Sequence, residues 1–214
     1  MVTACWSVKG GSGVSVVAAA LASARRSGEG TALVDLGGDQ PCILGCAEPD
    51  GPGVAELAGL RADAGTVRAA LVPLAPGLGL LPRGRGDLPR GEHARVFAGI
   101  VAGWSGMTVV DCGVLADPDG LAATVVSSAS RSLLVVRPCI VALRRAVAAP
   151  WRADGVVLVT EPGRALGPRD VEGVLGAPVI AVVPVDPTVA RVVDAGLLLS
   201  RPPRLLAGPL DRVD

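Results

Sequence analysis

Short Val-, Leu- and Ile-rich runs recur along the whole chain, and helical stretches separate them. The runs fall at 2–8 (VTACWSV), 31–35 (TALVD), 78–82 (LGLLP), 107–111 (MTVVD), 132–137 (SLLVVR), 155–160 (GVVLVT) and 178–183 (PVIAVV). Their apolar character is continuous rather than alternating, as it is in strands buried on both faces. Helices are expected over 14–27, 53–70 with a break, 92–103, 119–130, 139–149, 168–175 and 187–195, with Asp119 and Pro168 as start signals. This alternation specifies an α/β fold: a doubly wound, mostly parallel seven- or eight-stranded sheet with helices on both faces. Sheets of that kind bind ligands at the carboxyl ends of their strands.

Half of the 214 residues are hydrophobic but only 2% are aromatic, so the core must be built from Val, Leu, Ile and Ala. The length suits a single domain, expected over 1–199. The remainder, 200–214 (SRPPRLLAGPLDRVD), is Pro-rich and expected to be irregular, without the pattern of a membrane-targeting amphipathic helix. A formal net charge of zero gives no field that would draw the chain to nucleic acid or to an anionic membrane. No uninterrupted apolar stretch is long enough to span a bilayer. The first residues, MVTACWSVKG, lack a basic leader and a cleavage site, so a cytoplasmic protein is expected. Five scattered cysteines fit reduced thiols better than a disulfide framework. Cys42 and Cys46 have no second pair at metal-binding spacing.

The first apolar run feeds KGGSG and then a helical stretch, VSVVAAALASARR. Glycines at Gly10, Gly11 and Gly13 let the backbone turn tightly and aim its N–H groups inward at a helix start, which makes an anion site. The alternative is a plain Gly-rich turn, and the strand before it and the helix after it weigh against that.

These residues resemble the deviant Walker A motif of the ParA/MinD group of P-loop ATPases, K-G-G-x-G-K-S/T. The resemblance makes Lys9 the signature lysine that reaches across a nucleotide-sandwich dimer. It makes Gly10, Gly11, Ser12, Gly13, Val14, Ser15 and Val16 the phosphate-binding segment, with Ser15 the hydroxyl that ligates Mg²⁺. TALVDLGGDQP resembles the family's second-strand D-x-D-P-Q segment, with Asp35 at the first acid and Gly37 at the second. MTVVDCG resembles the Walker B-like strand, which implies that Asp111, with Asp35, acts on Mg²⁺ through water. SRSLLVVRPCIVALRRA is similar to the family's next strand and helix, although Arg131 replaces the usual Asp. From Gly155 onward the chain resembles the MinD-type end, where Thr160, Pro184, Val185 and Asp186 would border the adenine. The implied cofactor is ATP or ADP with Mg²⁺, and the implied catalytic set is Lys9, Asp35 and Asp111.

Val14 departs from the family at the loop lysine. Valine has neither charge nor donor, and losing one charge-assisted hydrogen bond weakens binding by about 1.5–3 kcal/mol. Hydrolysis should suffer more, because phosphoryl transfer depends on electrostatics and positioning. At most a weak ATPase is therefore expected. Basic residues number 20, of which 19 are Arg, and the single lysine stands at position 9. That placement favours a retained need for a flexible ammonium there. A Gly-Gly-x-Gly loop without its second lysine resembles the CpaE/TadZ-like and actinobacterial septum-site-like members. The CpaE proteins often carry a receiver-like domain ahead of the loop, which is not expected here.

The expected function is thus a nucleotide-responsive positioning or scaffolding protein of a Tad/Flp pilus or secretion apparatus. It would be a homodimer, recruited to the cell pole or membrane by protein partners of a pilus, secretion, division or partitioning system. The alternatives are an active ParA-type ATPase that partitions DNA or other cargo, and a pseudo-ATPase with an empty pocket. Nucleic acid is not an expected partner, since Arg144 and Arg145 alone make too small a basic surface. His93, the single histidine, reads as a solvated helix residue. The run at 83–91 reads as a turn, and Trp6, Trp104 and Trp151 read as packing residues.

Overall fold

A computed structural model describes residues 1–26, 30–211 and 213. Eight strands form one sheet: β1 Val2–Ser7, β2 Thr31–Asp35, β3 Val72–Ala75, β4 Leu78–Leu81, β5 Met107–Val114, β6 Arg131–Val136, β7 Gly155–Thr160 and β8 Val179–Pro184. They lie in the order β3-β4-β2-β5-β1-β6-β7-β8. Every pairing is parallel except β3 with β4, at one edge. The edge strand β3 was not expected. It is short, only half buried, and carries Pro73, which an edge strand tolerates because one side of its ladder is open.

Between the strands run α1 Val14–Ala24, α2 Gln40–Leu44, α3 Val54–Gly59, α4 Ala64–Ala69, α5 Gly91–Ala102, α6 Leu121–Ser128, α7 Ile140–Ala148, α8 Pro168–Leu175, α9 Pro187–Asp194 and α10 Arg204–Leu210. The end expected for the first helix, residue 27, lies outside the described residues. The break expected in 53–70 falls between α3 and α4. Side chains alternate across each strand, so one strand feeds both cores. Val2, Ala4 and Trp6 of β1 join a core under α3, α5, α6, α7 and α8. Cys5 joins the opposite core, under α1, α2 and α10. α1 buries Ala18, Ala19, Ala20 and Ala22, and these small side chains let it lie close to the sheet.

The expectation of an irregular tail is corrected. α10 occupies 204–210 and buries Leu206 and Leu210 against α1 and β8. Pro203 precedes its first turn, a position where a missing N–H loses nothing. The two leucines four residues apart form the apolar face that the prolines obscured. Trp6 and Trp104 are buried, as packing residues should be. Trp6 donates its indole N–H to Ser132 Oγ at 2.8 Å and meets Trp151 edge to face at 6.1 Å.

Candidate functional site

The register of the central strands places the acids. Asp35 ends β2 and pairs with Asp111 of β5, which in turn pairs with Cys5 of β1. The carboxylates are therefore level on adjacent strands, beside the loop that leaves β1. Serine hydroxyls close that loop. The Lys9 N–H donates to Ser7 Oγ at 3.3 Å, Ser7 donates to Ser12 Oγ at 2.9 Å, and Ser12 donates to the Lys9 carbonyl at 2.8 Å. Gly11 (φ 74°) and Gly13 (φ 90°) take left-handed conformations that a Cβ would strain. Gly13 is the residue from which α1 starts. Lys9, Gly10 and Gly11 are exposed, while Ser12 is buried beneath them.

Val14, the first residue of α1, is only 6% exposed and belongs to the apolar core with Cys5, Val17 and Val159. It contributes to packing and offers the loop no polar group. Ser15 and Val16 are half-buried on the same turn.

Asp35 and Asp111 are both fully buried. Asp35 accepts the N–H of Gly38 at 2.7 Å and of Gln40 at 3.0 Å, one on each oxygen. Burial pushes its carboxyl up to about 6, helped by the neighbouring Asp111 charge and opposed by those N–H groups. Burial also raises Asp111, against hydrogen bonds from Gln40, the Ser15 side chain and the Gly113 N–H. Two buried carboxylates with an adjacent serine hydroxyl form an all-oxygen set, which suits a hard cation such as Mg²⁺. A Cβ on Gly37 would stand 3.5 Å from Asp111 Oδ2 and 3.6 Å from Asp35 Oδ1. Both distances are ordinary van der Waals contact, so a Cβ fits there, and Gly37 simply leaves the two carboxylates without a third acid beside them. On this side the floor opens into a cleft of about 670 Å³ walled by Arg83, Arg90 and Asp117.

Gln40 was not anticipated. It is fully buried, and its Nε2 donates to Asp111 Oδ2 at 2.8 Å and to the Ser15 carbonyl at 2.9 Å. It thereby ties α1, β5 and the end of β2 together. Its position, five residues after Asp35 and beside Pro41 at a helix start, was the available signal.

On the other side of the loop lies an apolar pocket of about 260 Å³. Gly13, Val16, Pro184, Val185 and Asp186 line it, as does Leu206 of the unexpected α10. Thr160 is not among its lining residues. Its carbonyl accepts the Val185 N–H at 2.7 Å and so fixes the pocket wall from behind. Arg137, just after β6, also lines the pocket and also escaped the sequence reading. Its Nη1 meets Glu161 Oε1 at 2.9 Å, and Glu161 is shared with Arg164. Arg164 and then Arg137 hold the Glu161 carboxyl below its usual range.

His93 stands apart on α5, half-buried, where its Nε2 meets Arg61 Nη2 at 2.8 Å. It is thus a paired residue rather than a freely solvated one. The turn at 83–91 is pinned by Glu56, which accepts the Arg85 N–H at 2.7 Å. All five cysteines are free thiols. Among the described residues, no helix is long and apolar enough to cross a membrane.

No protein-family model and no curated protein matches the chain by sequence. Solved structures do match. A ParA family ATPase from Chlorobium tepidum superposes with a TM-score of 0.77 at 19% identity, covering 98% of this chain and 95% of that one. The septum site-determining protein MinD of Pyrococcus horikoshii, complexed with Mg-ADP, gives 0.76 at 22% identity, covering 99% and 93%. A Cyanothece McdA variant in complex with ATP gives 0.71 at 15% identity, again covering 99% and 93%. Near-complete coverage in both directions, together with the parallel sheet and the glycine loop at its centre, gives this chain the fold of the ParA/MinD P-loop NTPases.

Proposed function

We propose that the chain is a nucleotide-binding positioning or scaffolding protein that takes ATP or ADP with Mg²⁺ weakly and hydrolyses ATP slowly or not at all. The observation that carries this reading is the contrast between Val14, sunk into the core, and the retained Ser15–Asp35–Asp111 set. The loop keeps its backbone donors and its oxygen ligands but not its inner cation. Loss of that cation tells most where charge develops during phosphoryl transfer. Lys9, Asp35 and Asp111 are the residues assigned to whatever turnover remains, and Gly10 to Val16 with Thr160 and Pro184–Asp186 to nucleotide. The likeness to MinD with Mg-ADP and to McdA with ATP supports the choice of ligand. The working form would be a homodimer in the cytoplasm, recruited by partners of a Tad/Flp pilus or secretion apparatus in the manner of the CpaE/TadZ-like proteins.

Millimolar ADP or ATP with Mg²⁺ should raise the melting temperature, since a ligand that binds only the native state stabilises it. ATP should also shift the size-exclusion profile toward a dimer. Val14→Lys should tighten nucleotide binding by roughly tenfold to a hundredfold. Turnover at the rate of ordinary ParA-type ATPases would sink the weak-enzyme reading, and no thermal shift at all would leave an empty scaffold. A second reading, a working ATPase that partitions DNA or other cargo, is favoured by the arginine in the pocket. On that reading Val14→Lys changes little and Lys9→Ala abolishes turnover.

A further inference from the structure

We propose that Arg137 is the cation that takes over from the absent loop lysine, gripping the phosphate chain of a nucleotide held between the glycine loop and the apolar pocket. The proposal rests on the nucleotide-binding reading above.

Position comes first. β6 hydrogen-bonds to β1 on one side and to β7 on the other, with β8 beyond. Neighbouring strands lie about 4.8 Å apart. Arg137 therefore rises one strand away from the loop and two strands short of Pro184 and Val185. A ligand with phosphates on the loop and a flat apolar ring against Val185 must pass over the end of β6. Arg137 and the loop residue Gly13 line the same pocket.

Charge comes second. Arg137 is the one cation among the pocket's described lining residues, which also include the acids Asp186 and Asp194. A guanidinium stays protonated at any working pH, and its planar fork matches two phosphate oxygens at once. Its partner Glu161 also holds Arg164, so two cations share one carboxylate and the trio keeps a positive charge.

The donors come third. The Arg137 Nε–H is buried and has no hydrogen-bond partner. A buried donor left unpaired is unfavourable, and because the side chain as a whole is partly exposed, a turn of the guanidinium toward an anion in the pocket would pair it. A mere tie between the ends of β6 and β7 would be complete with Nη1 on Glu161. It would need neither the pocket nor the spare donor.

The test compares ADP with Mg²⁺ against adenosine, by calorimetric titration of the full chain and its variants. Arg137→Ala should weaken ADP by ~tenfold or more while leaving adenosine within about twofold. Glu161→Gln frees the guanidinium and should tighten ADP. ADP binding unchanged in Arg137→Ala overturns the proposal. So does an equal loss for ADP and adenosine, because Arg137 would then shape the pocket rather than meet phosphate. If Arg137→Ala does not fold, an unchanged ADP affinity in Glu161→Gln overturns it instead. Wild-type protein that takes up no adenine nucleotide at millimolar concentration removes the nucleotide reading itself, a different result from wild-type binding that Arg137→Ala leaves intact.

Discussion

At the scale of single residues, the two buried carboxylates set the behaviour of the metal-free protein. The Asp35 carboxyl titrates at about 6 in the fold, against an ordinary 3.8. Between those values the native state binds the extra proton, so stability falls as pH rises through the interval and levels off above it. In EDTA the melting temperature should be higher near pH 5 than near pH 7.5, and Asp35→Asn should flatten that slope, leaving only the part that Asp111, also raised by burial, contributes. A profile rising over the same interval would show that the carboxylate is stabilised by contacts not seen here. The acids, the glycines and the lone lysine were legible in the sequence because they sit in short local patterns. Gln40 and Arg137 were not. The Gln40 amide meets partners 25 and 71 residues away in sequence, and Arg137 acquires meaning only once β6 is inserted between β1 and β7. The burial of Val14 was also hidden, since a valine after a glycine loop reads the same whether it faces the ligand or the core.

At the scale of elements, the pieces that periodicity revealed are those with long apolar runs: the seven principal strands, α1, and the helices between them. The pieces it missed are short or carry proline. β3 has four residues including Pro73, α2 has five including Pro41, and α10 has seven including Pro209. Each is held by tertiary packing rather than by its own propensity. α10 matters most, because Leu206 is at once a core residue beneath α1 and part of the pocket wall. Leu206→Ala should reduce unfolding free energy by about 2–5 kcal/mol, measured in urea with an unchanged m-value. The same variant should weaken binding of adenosine and ADP alike, unlike Arg137→Ala. Full nucleotide affinity in a measurably destabilised Leu206→Ala protein would restrict α10 to a packing role.

At the scale of the whole molecule, the sheet order gathers the loop, both acids and the pocket at the carboxyl ends of β1, β2, β5, β6, β7 and β8, while β3 and β4 lie toward the far edge. A ligand there would touch elements drawn from the beginning, middle and end of the chain, so binding should stabilise the fold globally rather than one segment. The census of basic residues adds a practical consequence. The sequence holds one lysine, and the fold leaves it exposed on the loop. The other primary amine, at Met1, donates to the Gly106 carbonyl at 2.9 Å. A reagent that acylates amines therefore has one lysine target in this sequence, on the glycine loop to which the proposed function assigns phosphate. Peptide mass mapping should locate the side-chain adduct at Lys9, and Mg-ADP should slow its formation while leaving the Met1 adduct unaffected. If the proposed nucleotide binding holds, Lys9 would thus serve as a native chemical reporter of whether the loop is filled.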